Sequence, residues 1–229
     1  MLLSHRGPIY RAVGGIMQRD LRAAFHRIDW VGDVPRVDAD RPVVMLVNHH
    51  NFFDGYAGWL AARDVFGRRV LTWMQEWDRF PFFAVAGAFP FPADDAKARA
   101  ATMRRTAARF ADPGWALLYF PEGHLHPPED GIAPFDDALL SRLDRLLPAK
   151  TWVPVACYAA WEDAARPVLR MAAGAPAHRI LGDEHARLSA LWHDLRTRSA
   201  PARTLLAGRP SPQDAWSFRF ARPFFRRYL

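Results

Sequence analysis

In the stretch Asn48-His49-His50-Asn51-Phe52-Phe53-Asp54-Gly55, four residues separate an imidazole, His49, from a carboxylate, Asp54. An apolar run, Val43 to Val47, precedes it, so a strand would deliver His49 at its carboxyl end. A turn into a helix would then fold Asp54 beneath the ring. A carboxylate bonded to one ring nitrogen fixes the tautomer and stabilises the imidazolium. The other nitrogen is left to take a proton from a hydroxyl or an amine. That chemistry is general-base catalysis. The same side chains would also serve as a helix cap and as backbone partners in a loop, so spacing alone leaves both readings open.

A second polar loop, Pro121-Glu122-Gly123-His124, follows another apolar run, Trp115 to Phe120. In open α/β sheets, ligands bind in crevices at the carboxyl ends of strands, so two such loops point to one shared site. The elements needed to hold them can be read from periodicity. Val43 to Val47, Arg69 to Met74, Trp115 to Phe120, Trp152 to Tyr158 and Pro167 to Ala172 predict strands. Pro154 suggests that its strand lies at an edge or begins there. Ile9 to Ile28, Tyr56 to Arg63, Ala96 to Phe110, Leu139 to Leu147 (stopped by Pro148) and Asp183 to Arg198 predict helices. The first of these is amphipathic, suited to packing on its own domain or to lying on a membrane. The aromatic stretch Trp77 to Val85 reads as a core helix or as the cover of a groove for an aliphatic chain, and Gly87 to Pro92 as a short extended segment. The fold class is therefore α/β: a single domain with a central, mostly parallel mixed sheet flanked by helices, plus an amphipathic N-terminal helix. We divide it into an N-terminal helical segment (1–34), a catalytic domain (35–208) and a basic-aromatic tail (209–229).

Composition narrows the function classes. Half of the 229 residues are apolar and 24% are charged, which excludes a disordered chain. The single cysteine, Cys157, excludes an internal disulfide framework and any multi-cysteine zinc site. The formal charge of +7 favours anionic surfaces such as phospholipid headgroups or nucleic acid. The tail from Trp216 to Leu229 alternates aromatic and basic residues, which suits a membrane surface, base stacking or packing over the domain. No apolar run is long enough to span a bilayer, and the start, Met1 to Pro8, lacks the apolar stretch of a secretory signal. The expected location is cytoplasmic, peripheral to the inner face of the cell membrane.

Four blocks in order carry a resemblance: Asn48-His49 with Asp54, Gly87 to Ala93, Phe120-Pro121-Glu122-Gly123, and Val153-Pro154-Val155-Ala156. Together they resemble the glycerolipid acyltransferases of the lysophosphatidic acid acyltransferase type, over roughly Pro42 to Ala175. The resemblance implies transfer of a fatty acyl group from an acyl thioester, acyl-CoA or acyl-ACP, to a hydroxyl or amine of a lipid acceptor. His49 would be the base and Asp54 its orienter, with no covalent intermediate. Substrate would be held by Asn48, Gly87, Glu122, Gly123, His124 and Pro154. No metal and no further cofactor is expected, and no nucleic acid partner. Two departures stand out: Ala93 and His124-Leu125-His126 occupy positions where the family carries arginines associated with the phosphate of its acceptor. They point to an acceptor other than a glycerol phosphate. Arg79, Lys97 or Arg99 could supply such a charge from another angle. The alternatives are a catalytically silent relative that binds lipid or acyl carrier, and a metal-dependent hydrolase using His49, His50, His124, His126 and Asp54.

Overall fold

The computed structural model describes residues 7–147, 149–197, 203–210, 220 and 222–226. The start Met1 to Arg6, Pro148 and most of the 209–229 tail lie outside the described residues. Eight strands form one sheet in the order β4-β3-β5-β2-β6-β7-β1-β8. They are β1 (Arg27–Trp30), β2 (Val43–Val47), β3 (Arg69–Met74), β4 (Ala88–Pro90), β5 (Trp115–Tyr119), β6 (Thr151–Ala160), β7 (Val168–Ala173) and β8 (Arg203–Ala207). Only the β6/β7 and β1/β8 pairings are antiparallel. The helices are α1 (Pro8–Ala24), α2 (Asp54–Asp64), α3 (Ala96–Arg109), α4 (Asp137–Leu146), α5 (Glu184–Thr197) and the short α6 (Arg222–Phe225). The result is a single α/β domain with a mostly parallel mixed sheet, helices on both faces and an amphipathic helix at its start.

Strand β2 shows how the sequence dictates this arrangement. All five residues are buried, because alternate side chains feed opposite cores. Val43, Met45 and Val47 join the core beneath α1 and α2, while Val44 and Leu46 join the one beneath α3 and α4. Helix α5 covers β6 and β7 through Leu188, Trp192 and Leu195, packed with Ala156 and Ala172.

Four expectations need correction. Pro154 is neither at an edge nor at a strand start, since β6 is interior, between β2 and β7. The ladder with β7 begins only at Val155↔Ala173. One step beyond it, Gly174 N–H donates to Pro154 O at 2.9 Å, so the missing proline N–H forfeits one reciprocal bond. Gly174 makes room for the ring: a Cβ there would lie 2.9 Å from Pro154 Cγ. Second, the first helix stops at Ala24 instead of Ile28. The backbone turns extended at Phe25 (φ −117°, ψ 148°) because Arg27–Trp30 is drawn into the sheet as β1. Third, Trp77 to Val85 is no continuous helix but two 3-10 turns, Trp77–Arg79 and Pro81–Ala86, with Pro81 opening the second. Fourth, the sheet extends beyond the strands predicted from periodicity, with β1 and β8 added as an antiparallel pair at one side.

Candidate active site

Parallel pairing of β2 with β5, in register from Val43↔Ala116 to Leu46↔Tyr119, brings the loops after both strands to one edge of the sheet. His49 and Glu122, 73 residues apart, thereby become neighbours: the His49 amide donates to Glu122 Oε1 at 2.6 Å. Strands β5 and β6 flank β2, so the chain crosses from one side of it to the other, and the crevice opens at that switch.

Asp54 is the first residue of α2 and is buried. Its Oδ2 accepts the amides of His50 (2.8 Å) and Asn51 (2.7 Å), and lies 3.4 Å from His49 Nδ1. The two readings left open by spacing are therefore compatible. One carboxylate oxygen fixes the loop backbone and faces the imidazole, with the positive end of α2 adding to its stabilisation. Burial pushes the Asp54 carboxyl above its ordinary value, against the opposing pull of His49 and of the two amides. The His49 ring stacks on Phe120 at 4.2 Å between centroids. With Nδ1 donating to Asp54, Nε2 keeps its lone pair, and no hydrogen bond occupies it among the described residues.

His50 is differently placed, and its neighbours fix its protonation. Cys157 N–H donates to Asn48 Oδ1 (2.7 Å), and Asn48 Nδ2 donates to Cys157 O (3.0 Å), which sets the amide's orientation. The remaining Nδ2 hydrogen faces His50 Nδ1 at 3.2 Å, so that nitrogen accepts. The proton then sits on Nε2, which donates to Gly131 O at 2.7 Å. Burial pushes the His50 pKa down, favouring this neutral form. Both of its nitrogens are thus engaged.

His49 opens onto a cavity of about 1270 Å³. One wall, formed by Met17, Tyr56, Trp59, Phe80 and Phe83, belongs to the core beneath α1 and α2. The opposite wall includes Phe91, Met103 and Leu139 from the α3/α4 side. Glu122, Gly123 and His124 line the cavity between them, as do Arg79, Arg99 and Arg142.

The fold has a solved counterpart. The crystal structure of the 1-acyl-sn-glycerophosphate (LPA) acyltransferase PlsC from Thermotoga maritima matches with a TM-score of 0.56. The match covers 82% of this chain and 80% of that one, at 13% sequence identity. At that identity the likeness is one of fold. No family model and no curated protein sequence matches the chain.

Of the residues singled out in the sequence, His49, Glu122, Gly123 and His124 line the cavity, with Asp54 behind His49. Asn48, Gly87 and Pro154 do not line it. Asn48 clamps the His49 loop to β6. Gly87, at φ +99°, sits so close to β3 that a Cβ would lie 1.9 Å from Val70 O. Three donor atoms, one each from His50, Glu122 and His126, lie within 4.8 Å of one another. The orientation of Asn48 puts the His50 proton on Nε2, which gives it to Gly131 O, while Glu122 bonds His126; so placed, His50 turns no lone pair toward the other two. Sequence reasoning missed Arg142 and Tyr56, which line the cavity, and the Ala133 amide, which donates to Glu122 Oε2, because each comes from a separate element with no shared spacing.

Proposed function

We propose that the protein is an acyltransferase that moves a fatty acyl group from an acyl thioester, acyl-CoA or acyl-ACP, to a hydroxyl or amine of a lipid-like acceptor. The observation that carries this reading is the pairing of His49 with buried Asp54 at the mouth of a cavity with one long apolar wall. His49 Nε2 takes the acceptor's proton as the acceptor oxygen or nitrogen attacks the thioester carbonyl. Collapse of the tetrahedral adduct breaks the C–S bond, and the imidazolium returns its proton to the departing thiolate. No acyl-enzyme is required. Cys157 is buried, and burial pushes its thiol pKa up, so it is a poor nucleophile.

The Met17/Tyr56/Phe83 wall suits an acyl chain, in keeping with a groove role for part of the Trp77 to Val85 stretch. The opposite side is the better place for a polar headgroup. Arg99 donates there to the Pro92 and Ala93 carbonyls, so a guanidinium stands beside the position where the resembling family carries its own arginine. Arg142 faces the same cavity, while Lys97 does not line it. The altered Ala93 and His124-Leu125-His126 positions favour an acceptor other than a glycerol phosphate. Peripheral attachment to the inner face of the cell membrane fits the exposed Ile9 and Ile16 on α1 and the net positive charge.

The test is release of coenzyme A from palmitoyl-CoA by the purified chain, with lysophosphatidate, monoacylglycerol and a long-chain amine offered in turn. Acceptor-dependent release with formation of the acylated product is expected. Donor binding without acceptor-dependent release by any of them would favour the silent binder.

A further inference from the structure

The resemblance makes Glu122 a substrate ligand, but in the structure both of its carboxylate oxygens already accept hydrogen bonds. Oε1 accepts the His49 amide. Oε2 accepts the Ala133 amide at 2.7 Å and the Nε2–H of His126. The His126 amide in turn donates to the His49 carbonyl at 3.2 Å. The result is a closed ring: His49 backbone, Glu122 carboxylate, His126 side chain, His126 backbone and His49 backbone again. The Glu122 side chain is fully buried and that of His126 is 7% exposed, so water competes little for these bonds. Among the described residues no lysine or arginine pairs with Glu122. His50 does not replace His126, since its Nε2 is 3.9 Å from Glu122 Oε2 and gives its proton to Gly131.

We propose that His126 is a positioning residue for His49, acting through Glu122. Both backbone polar groups of the base are held by the ring, and the 3.4 Å approach of His49 to Asp54 depends on where that backbone stands. Removing the imidazole leaves Oε2 with the Ala133 amide alone and frees the carboxylate to turn away from the His49 amide. The base then loses its aim at the acceptor, while the apolar wall that would hold the acyl chain is untouched.

This inference rests on the acyltransferase reading, and its test separates the two. His126→Ala and His126→Gln are compared with the wild-type chain using palmitoyl-CoA and whichever acceptor supports release. Exchange of the His49 amide proton is followed by NMR in all three. Misplacing a catalytic group by about an ångström costs on the order of 100-fold, so His126→Ala is expected to lose at least about 10-fold in kcat with KM for palmitoyl-CoA unchanged. The glutamine amide reaches Glu122 as Nε2 does, and His126→Gln should recover most of the rate. The His49 amide should exchange faster in His126→Ala and return towards the wild-type rate in His126→Gln. Unchanged exchange in His126→Ala, or a kcat loss that His126→Gln leaves in place, overturns the proposal. If the wild-type chain releases no coenzyme A with any acceptor, the acyltransferase reading fails, and the His49 amide alone decides whether His126 positions that residue.

Discussion

Asp54 combines two demands that oppose each other. As the orienter of His49 it must be ionised, yet burial favours its protonated form and raises its pKa. The sign for stability follows. Between the unfolded value near 3.8 and the higher folded one, the native state binds more protons, so its stability falls as pH rises through that window. Asp54→Asn keeps an oxygen for the His50 and Asn51 amides and removes the buried charge. Its melting temperature is expected to equal or exceed that of the wild type at neutral pH, the advantage shrinking as pH falls through that window and gone below the unfolded value. Its turnover should drop by roughly 100-fold or more, because the His49 tautomer is no longer set. Thermal melts across pH check the first part. A variant destabilised at neutral pH with normal turnover would contradict both. The His49/Asp54 pair was legible in the sequence because its spacing is local. The Glu122 ring was not, since it depends on β5 lying beside β2.

At the scale of elements, β2 and β3 were legible to the residue, β2 as a continuous apolar run and β3 as an apolar stretch, broken by Thr72, that follows Gly67. Strand β1 was hidden by its charges. Its Asp29 is buried, bonded to Arg27 Nε at 2.6 Å and to Thr204 Oγ1 at 2.8 Å, a partner 175 residues away. Only the assembled sheet makes that charge tolerable. Gly87, which the resemblance makes substrate-binding, serves the approach of β4 to β3. Its positive φ and the Val70 carbonyl leave no room for a side chain, so Gly87→Ala should cost about 2–4 kcal/mol. Denaturant titration checks this, with activity per folded molecule expected to stay near normal. A stable Gly87→Ala variant that fails to bind the acyl donor would restore the substrate role.

For the whole molecule, no described helix is long and apolar enough to cross a membrane. Exposed Phe52 and Phe82 are joined through ring contacts with Tyr56 and Phe83, two residues that line the cavity. An aromatic path thus leads from the surface to the proposed acyl wall. With the net charge of +7, the chain is expected to co-sediment with phosphatidylglycerol vesicles at low salt and to be partly released at high salt. A protein that stays in the supernatant at low salt would count against membrane attachment. Acyl transfer by this site depends on His49 acting as the base. The most direct measurement is coenzyme A release from palmitoyl-CoA by His49→Ala beside the wild type, with folding verified by circular dichroism. We predict a folded variant with kcat lowered by roughly 100- to 10,000-fold, the usual worth of a general base. A folded His49→Ala chain that turns over at close to the wild-type rate would contradict the account.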